Sequence, residues 1–178
     1  MSVKRILSLL ILSMALILST GLALAAEEPP TVTAQVLHSR AAYAQGASYP
    51  LVISFSIRPG FHINAQRPTE PDSYPTSLAW QPAPEFSFEP AVFPSPHAYK
   101  PSFSDKPIEV LDGSVAVRAT FKVAANAAPG PHLVKAKLQF QACDDQSCLM
   151  PETLEVPLTI TVAPAGKPGQ PLNPQAFK

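Results

Sequence analysis

Cys143 and Cys148 are the only two cysteines in the chain. They stand in the run Gln141-Ala142-Cys143-Asp144-Asp145-Gln146-Ser147-Cys148-Leu149-Met150-Pro151. A thiol pair this close has three uses: reversible thiol–disulfide exchange, a passive cross-link, or metal ligation. If the intervening residues form a turn between antiparallel strands, the two cysteines face each other. Their Cα atoms then lie about 4.5–5.5 Å apart, which a disulfide can span. As a cross-link the placement achieves little. Closing a loop of about six residues stabilises by roughly 2 kcal/mol, against about 4.7 kcal/mol for a loop of about 100. The turn already holds those ends together. Strand phase puts Cys143 in register with Lys135, Lys137, Gln139 and Gln141, on a polar face. That position is reachable by another protein unless a loop covers it. Spacing and phase leave the redox, cross-link and metal readings open.

The neighbours bear on rate. Asp144 and Asp145 adjoin the pair, and acidic neighbours disfavour a thiolate. No helix start is evident to oppose them. The reduced pair is therefore expected to be a sluggish nucleophile until a partner docks. As general bases the two aspartates compete with a simpler role, since Asp is a common turn residue. The four histidines are His38, His62, His97 and His132. With Cys143, Cys148 and Met150 they offer soft-metal ligands, but no tight ligand spacing exists. They read as ordinary loop or surface histidines, and no metal or cofactor is expected. Tyr43 and Tyr49 are candidates to line the cysteine site. No Gly-rich phosphate loop and no Gly-x-Ser-x-Gly elbow occurs.

The elements that position these residues read as strands. The chain holds 22 prolines and 7 glycines. Proline removes an N–H donor and clashes with the preceding helical turn, so a mostly helical fold is disfavoured. Period-2 alternation marks Ser48 to Arg58 (Leu51, Ile53, Phe55, Ile57 on one face) and Ser114 to Val123 (Val115, Val117, Ala119, Phe121, Val123). It also marks His132 to Cys143 (Val134, Ala136, Leu138, Phe140, Ala142) and Thr153 to Val162 (Leu154, Val156, Leu158, Ile160, Val162). Weaker strands are read at Thr31 to His38, Phe61 to Ala65 and Ser77 to Gln81, the last with Trp80 as a core residue. Pro82 to Pro107 is a long, aromatic-rich ordered loop with short strand pieces, and such loops are often functional. Beyond Ala163 the Pro/Gly/Gln-rich chain is expected to fray. Seven or eight alternating strands predict an all-β, immunoglobulin-like β-sandwich. The cysteines are too close in sequence to join its two sheets.

Composition sets outer limits. Of 178 residues, 13 are basic and 13 acidic, so there is no net positive charge to hold nucleic-acid phosphates. Lys135 and Lys137 read as a solvated strand face. Lys4 and Arg5, the apolar run Ile6 to Leu18, and Ala23-Leu24-Ala25 have the layout of a secretory signal peptide over residues 1–25. The alternative is an uncleaved anchor. Removal of residues 1–25 leaves 11 basic and 13 acidic side chains and no second long apolar run, so the mature form is expected to be soluble. The expected compartment is the periplasm of a Gram-negative bacterium, where disulfides persist. The division is then a leader at 1–25, a domain at 26–165 and a flexible tail at 166–178.

The stretch Phe140 to Thr159 resembles the cysteine-bearing hairpin of the N-terminal domain of the DsbD thiol:disulfide interchange family. The matching residues are Cys143, Cys148, Pro151, Glu152, Thr153, Val156 and Pro157. Gly60-Phe61-His62-Ile63-Asn64 and Pro75-Thr76-Ser77-Leu78 are also similar to stand-alone relatives, and the resemblance spans roughly residues 31–162. It implies an immunoglobulin-like periplasmic domain that passes electrons to disulfides of thioredoxin-fold partners. By the same resemblance Cys148 forms mixed disulfides and Cys143 resolves them. Family members shield the pair with an aromatic cap loop, which Pro96-His97-Ala98-Tyr99-Lys100 would supply here, with Tyr99 or Phe103 as the covering ring. DsbD itself continues into membrane and thioredoxin-like domains, so a relay here is expected to require separate partners in trans, with a DsbD-like membrane protein or a thioredoxin-like protein as the electron donor. The alternative is a non-catalytic immunoglobulin-like binding module with a structural hairpin disulfide.

Overall fold

A computed structural model describes residues 28–178; the signal-peptide reading of residues 1–25 lies outside them. The strands are β1 (Val32–His38), β2 (Tyr43–Ala44), β3 (Ser48–Ile57), β4 (His62–Asn64), β5 (Ser77–Trp80) and β6 (Phe86–Phe88). They continue with β7 (His97–Tyr99), β8 (Ile108–Asp112), β9 (Ser114–Val123), β10 (Gly130–Phe140), β11 (Ala142–Cys143) and β12 (Glu152–Ala163). The only helix among the described residues is a 3-10 turn at Pro174–Phe177.

Three four-stranded sheets result, in the orders β1-β3-β9-β6, β2-β12-β10-β5 and β11-β4-β8-β7. The first two face each other as an immunoglobulin-like β-sandwich. Their inner faces are the alternating apolar rows of the sequence: Leu51, Ile53 and Phe55 are 0% exposed, as are Val117, Phe121, Ala136, Leu138 and Ile160. Every pairing among the long strands is antiparallel, with Ile53 opposite Val117 and Ala136 opposite Val156. The core divides in two. One cluster gathers Phe55, Ile63, Leu111, Phe140 and Ala142, and the other gathers Tyr43, Tyr49, Phe86, Phe121 and Ile160.

The third, smaller sheet sits at the end of the sandwich near the first cluster. Its β8 follows a proline-rich stretch that masks its short alternation, and sequence reading assigns no strand there. Gly113 turns the chain from β8 into β9 with φ +59°, a left-handed conformation that favours glycine. Trp80 is half-buried rather than fully in the core, and it stacks on Phe88 at 4.0 Å and 12°. The tail makes main-chain contacts with the sandwich. The Gln170 carbonyl accepts from the Ala41 N–H at 3.0 Å, and the Leu172 N–H donates to the Ser39 carbonyl at 2.8 Å. Arg118 donates to the Ala176 carbonyl at 2.8 Å. Main-chain bonding of this kind depends only weakly on side-chain composition, so composition does not reveal it.

Candidate redox site

Cys143 and Cys148 form a disulfide with Cα atoms 4.0 Å apart. The main chain explains the close approach. The Leu149 N–H donates to the Ala142 carbonyl at 2.8 Å and the Asp144 N–H to the Ser147 carbonyl at 2.9 Å. These bonds flank the pair, so the cysteines occupy a non-hydrogen-bonded antiparallel position, where Cα atoms come closest. Asp144 builds the turn. Its Oδ1 accepts from the N–H groups of Gln146 at 2.8 Å and Ser147 at 2.7 Å, and those bonds hold its carboxyl below the usual range. Gln141 clamps the outer side by donating to the Leu149 carbonyl at 2.9 Å.

One expectation from strand phase is corrected. Cys143 is 1% exposed, not on an open polar face. The regular strand ends at Phe140, and after Gln141 the chain leaves the sandwich sheet. Ala142 and Cys143 then pair with Ile63 and His62 in the third sheet. The alternation counted along β10 does not carry across that change of sheet. Cys148, on the far side of the turn, is exposed.

The segment expected to cap the pair forms β7, paired with β8 so that Tyr99 lies opposite Ile108. The Tyr99 hydroxyl donates to Asp145 Oδ1 at 3.2 Å. The Ser102 N–H reaches the same oxygen at 3.2 Å, and its hydroxyl donates to the Asp145 carbonyl. Tyr99 and Ser102 are thus tied to the turn between the cysteines. Phe103, which is 47% exposed, joins Cys143, Cys148, Asn64, Ile108 and Gln141 around a cavity of about 410 Å3.

His62 is the residue that sequence reading missed. It is 4% exposed, so it is not an ordinary surface histidine. In β4 it stands between two neighbours, opposite Cys143 of β11 on one side and Asp112 of β8 on the other. Its ring lies 4.7 Å from that of Tyr99, and its Nε2 is buried without a hydrogen-bond partner. Burial pushes the imidazole below its ordinary pKa, while Asp112, Asp144 and Asp145 oppose that shift. His97 approaches Asp112 at 3.4 Å. The usable sequence signal is the strand resuming after Pro59-Gly60, which places His62 inside an element rather than in a loop.

Other candidates lie elsewhere. Tyr43 and Tyr49 pack on each other and on Phe121 in the second core cluster; neither lines the cysteine cavity. His38 meets the Tyr43 hydroxyl at 3.2 Å, and His132 meets the Ala128 carbonyl at 2.7 Å. Lys135 and Lys137 both pair with Glu155, at 3.0 and 3.4 Å. Met150 is 82% exposed. Among the described residues, no group of three His, Cys, Asp or Glu side chains is placed to hold a metal ion, and no helix is long and apolar enough to cross a membrane.

Comparison with known proteins adds the family. No curated protein matches the chain. Among solved structures, the DsbD N-terminal domain of Neisseria meningitidis in its reduced form is similar at 16% identity and a TM-score of 0.40, covering 71% of this chain and 86% of that one. The N-terminal periplasmic domain of ScsB from Proteus mirabilis is similar at 12% identity and a TM-score of 0.48, covering 78% of this chain and 49% of that one. The family profile described as "Thiol:disulfide interchange protein DsbD, N-terminal" matches residues 33–160. That span runs from β1 into β12 and encloses the disulfide-bearing hairpin. This chain belongs to the family of the DsbD N-terminal domain.

Proposed function

We propose that the protein is a periplasmic thiol–disulfide exchange protein that passes electrons to disulfides of partner proteins through Cys143 and Cys148. The observation that carries this reading is the unequal exposure of the pair, with Cys148 open to solvent and Cys143 buried at 1%. Exchange needs one sulfur that a partner can reach and a second held in place to close the bridge. In the reduced chain, the Cys148 thiolate attacks a partner disulfide and forms a mixed disulfide. Cys143 then attacks Cys148 Sγ, the internal bond closes, and the partner leaves with both thiols. Tyr99 and Phe103 act as the cap that shields the Cys143 side of the pair.

Thioredoxin-fold proteins of the periplasm are the proposed partners, with a DsbD-like membrane protein as electron donor in trans. Residues 1–25 are the proposed leader and 26–165 the working domain. The test combines two measurements on the mature protein. A reduction potential well below about −300 mV marks a structural bond and sinks the proposal. A Cys143→Ala variant is expected to trap thioredoxin-fold proteins as mixed disulfides through Cys148, and capture of none counts against it.

A further inference from the structure

Three residues form a row across the third sheet. Cys143, His62 and Asp112 are successive cross-strand partners on β11, β4 and β8. Directly paired residues project from the same face of a sheet, with Cβ atoms about 4.5–5.5 Å apart. His62 therefore stands between a sulfur and a carboxylate. We propose that His62 is the proton acceptor for Cys143 when Cys143 resolves the mixed disulfide on Cys148, an inference that rests on the exchange function proposed above.

The unpartnered nitrogen supports this role. A buried polar atom without a hydrogen bond is costly, and the cost disappears when a partner arrives. In the disulfide form Cys143 has no proton to offer, and Nε2 has no partner. Reduction creates an S–H donor on the residue directly across the strand. The step then balances. The Cys143 proton passes to His62 Nε2 as its sulfur attacks Cys148 Sγ. The Cys143–Cys148 bond forms and the bond from Cys148 to the partner sulfur breaks. The electron pair leaves on that partner sulfur, which takes its proton from the imidazolium or from water. The protein pair is oxidised by two electrons and the partner disulfide is reduced.

The surroundings suit a base that is neutral before the step and charged during it. Burial favours the uncharged ring. Asp112 on β8, with Asp144 and Asp145 on the turn, favour the imidazolium once it forms. His97 on β7 opposes it, and its own ring lies against Asp112. Tyr99 covers the His62 ring at 4.7 Å and limits water around it. The row's other base, Asp112, is separated from Cys143 by His62 itself.

The test follows both halves of one exchange on the reduced mature protein. An aromatic disulfide reagent, dithiobis(nitrobenzoate), releases one coloured thiolate when Cys148 attacks and a second when Cys143 resolves. The second release is expected to slow in His62→Gln by on the order of tenfold at neutral pH. Its rate should then rise in proportion to hydroxide, where the wild type levels off above the histidine's titration. The first release should change little. If both releases occur and His62→Gln matches the wild type in rate and pH profile, the proton-acceptor role is wrong while exchange stands. If the wild type releases neither thiolate, exchange itself fails and this inference fails with it. Should the variant not fold, ring nitrogen shifts of His62 in the wild-type chain serve instead. They are expected to change on reduction of the disulfide, and identical shifts in both redox states overturn the role.

Discussion

The Tyr99 hydroxyl is bonded to the Asp145 carboxylate at 3.2 Å, so the aromatic segment before β8 is fastened to the turn that carries both cysteines. The same ring covers His62. Both cysteines line the cavity that Phe103 borders.

Tyr99→Phe keeps the ring and removes the bond. An exposed hydrogen bond of this kind is weak, and its loss is expected to raise the open population by only roughly a few-fold. Reduction of the disulfide by a small thiol is expected to quicken by up to that factor. Tyr99→Ala also uncovers His62 and should quicken it further. Equal reduction rates in all three proteins would show that this contact does not guard the pair.

Alkylation of single-cysteine variants should follow burial. In Cys143→Ala the remaining Cys148 is exposed, whereas in Cys148→Ala the remaining Cys143 is 1% exposed. Iodoacetamide is expected to modify Cys148 faster by about tenfold or more, measured by mass spectrometry under native conditions. Faster reaction at Cys143 would reverse the assignment of the attacking sulfur.

Acid should loosen the cysteine turn. Two N–H donors, from Gln146 and Ser147, hold the Asp144 carboxyl below its ordinary range. Its folded pKa is thus lower than the unfolded value of about 3.9. The stabilisation is present above that value and is lost as pH falls through the folded one. Thermal midpoints of the wild type should decline across this acid window, and Asp144→Asn should show a shallower decline. An identical slope in the variant would exclude Asp144 as a contributor.

Phe121 tests the far half of the core. It is 0% exposed and packs against Tyr43 at 4.9 Å and Phe86 at 6.1 Å. Phe121→Ala is expected to cost about 3–5 kcal/mol in urea unfolding. The hairpin rests on the other cluster, through Phe140 and Ala142, so the reduction potential should stay unchanged in the folded variant. A shifted potential would mean that the two clusters are coupled.

Strand alternation was legible wherever one face meets the core and the other meets water. β9 runs from Ser114 to Val123, as its apolar period predicts, and Val115, Val117, Phe121 and Val123 are all buried. β2, at Tyr43–Ala44, and β8, at Ile108–Asp112, were not legible. A two-residue strand shows no period, and β8 lies against a run of prolines. Tyr99 and Phe103 were nameable as aromatics in a long loop, but not their separate placements, one on the turn and the other at the cavity.

The local sequence determined the sandwich and the closeness of the two cysteines, because alternation and turn formation depend on residues near one another in the chain. Tertiary structure alone decided which sulfur is buried and what stands beside it. The strand leaves one sheet at Gln141 and joins another, bringing Cys143 against His62, 81 positions earlier in the chain. Pairing across such a distance depends on which edge of β4 is free once the sandwich has closed, and no periodicity around either residue encodes that.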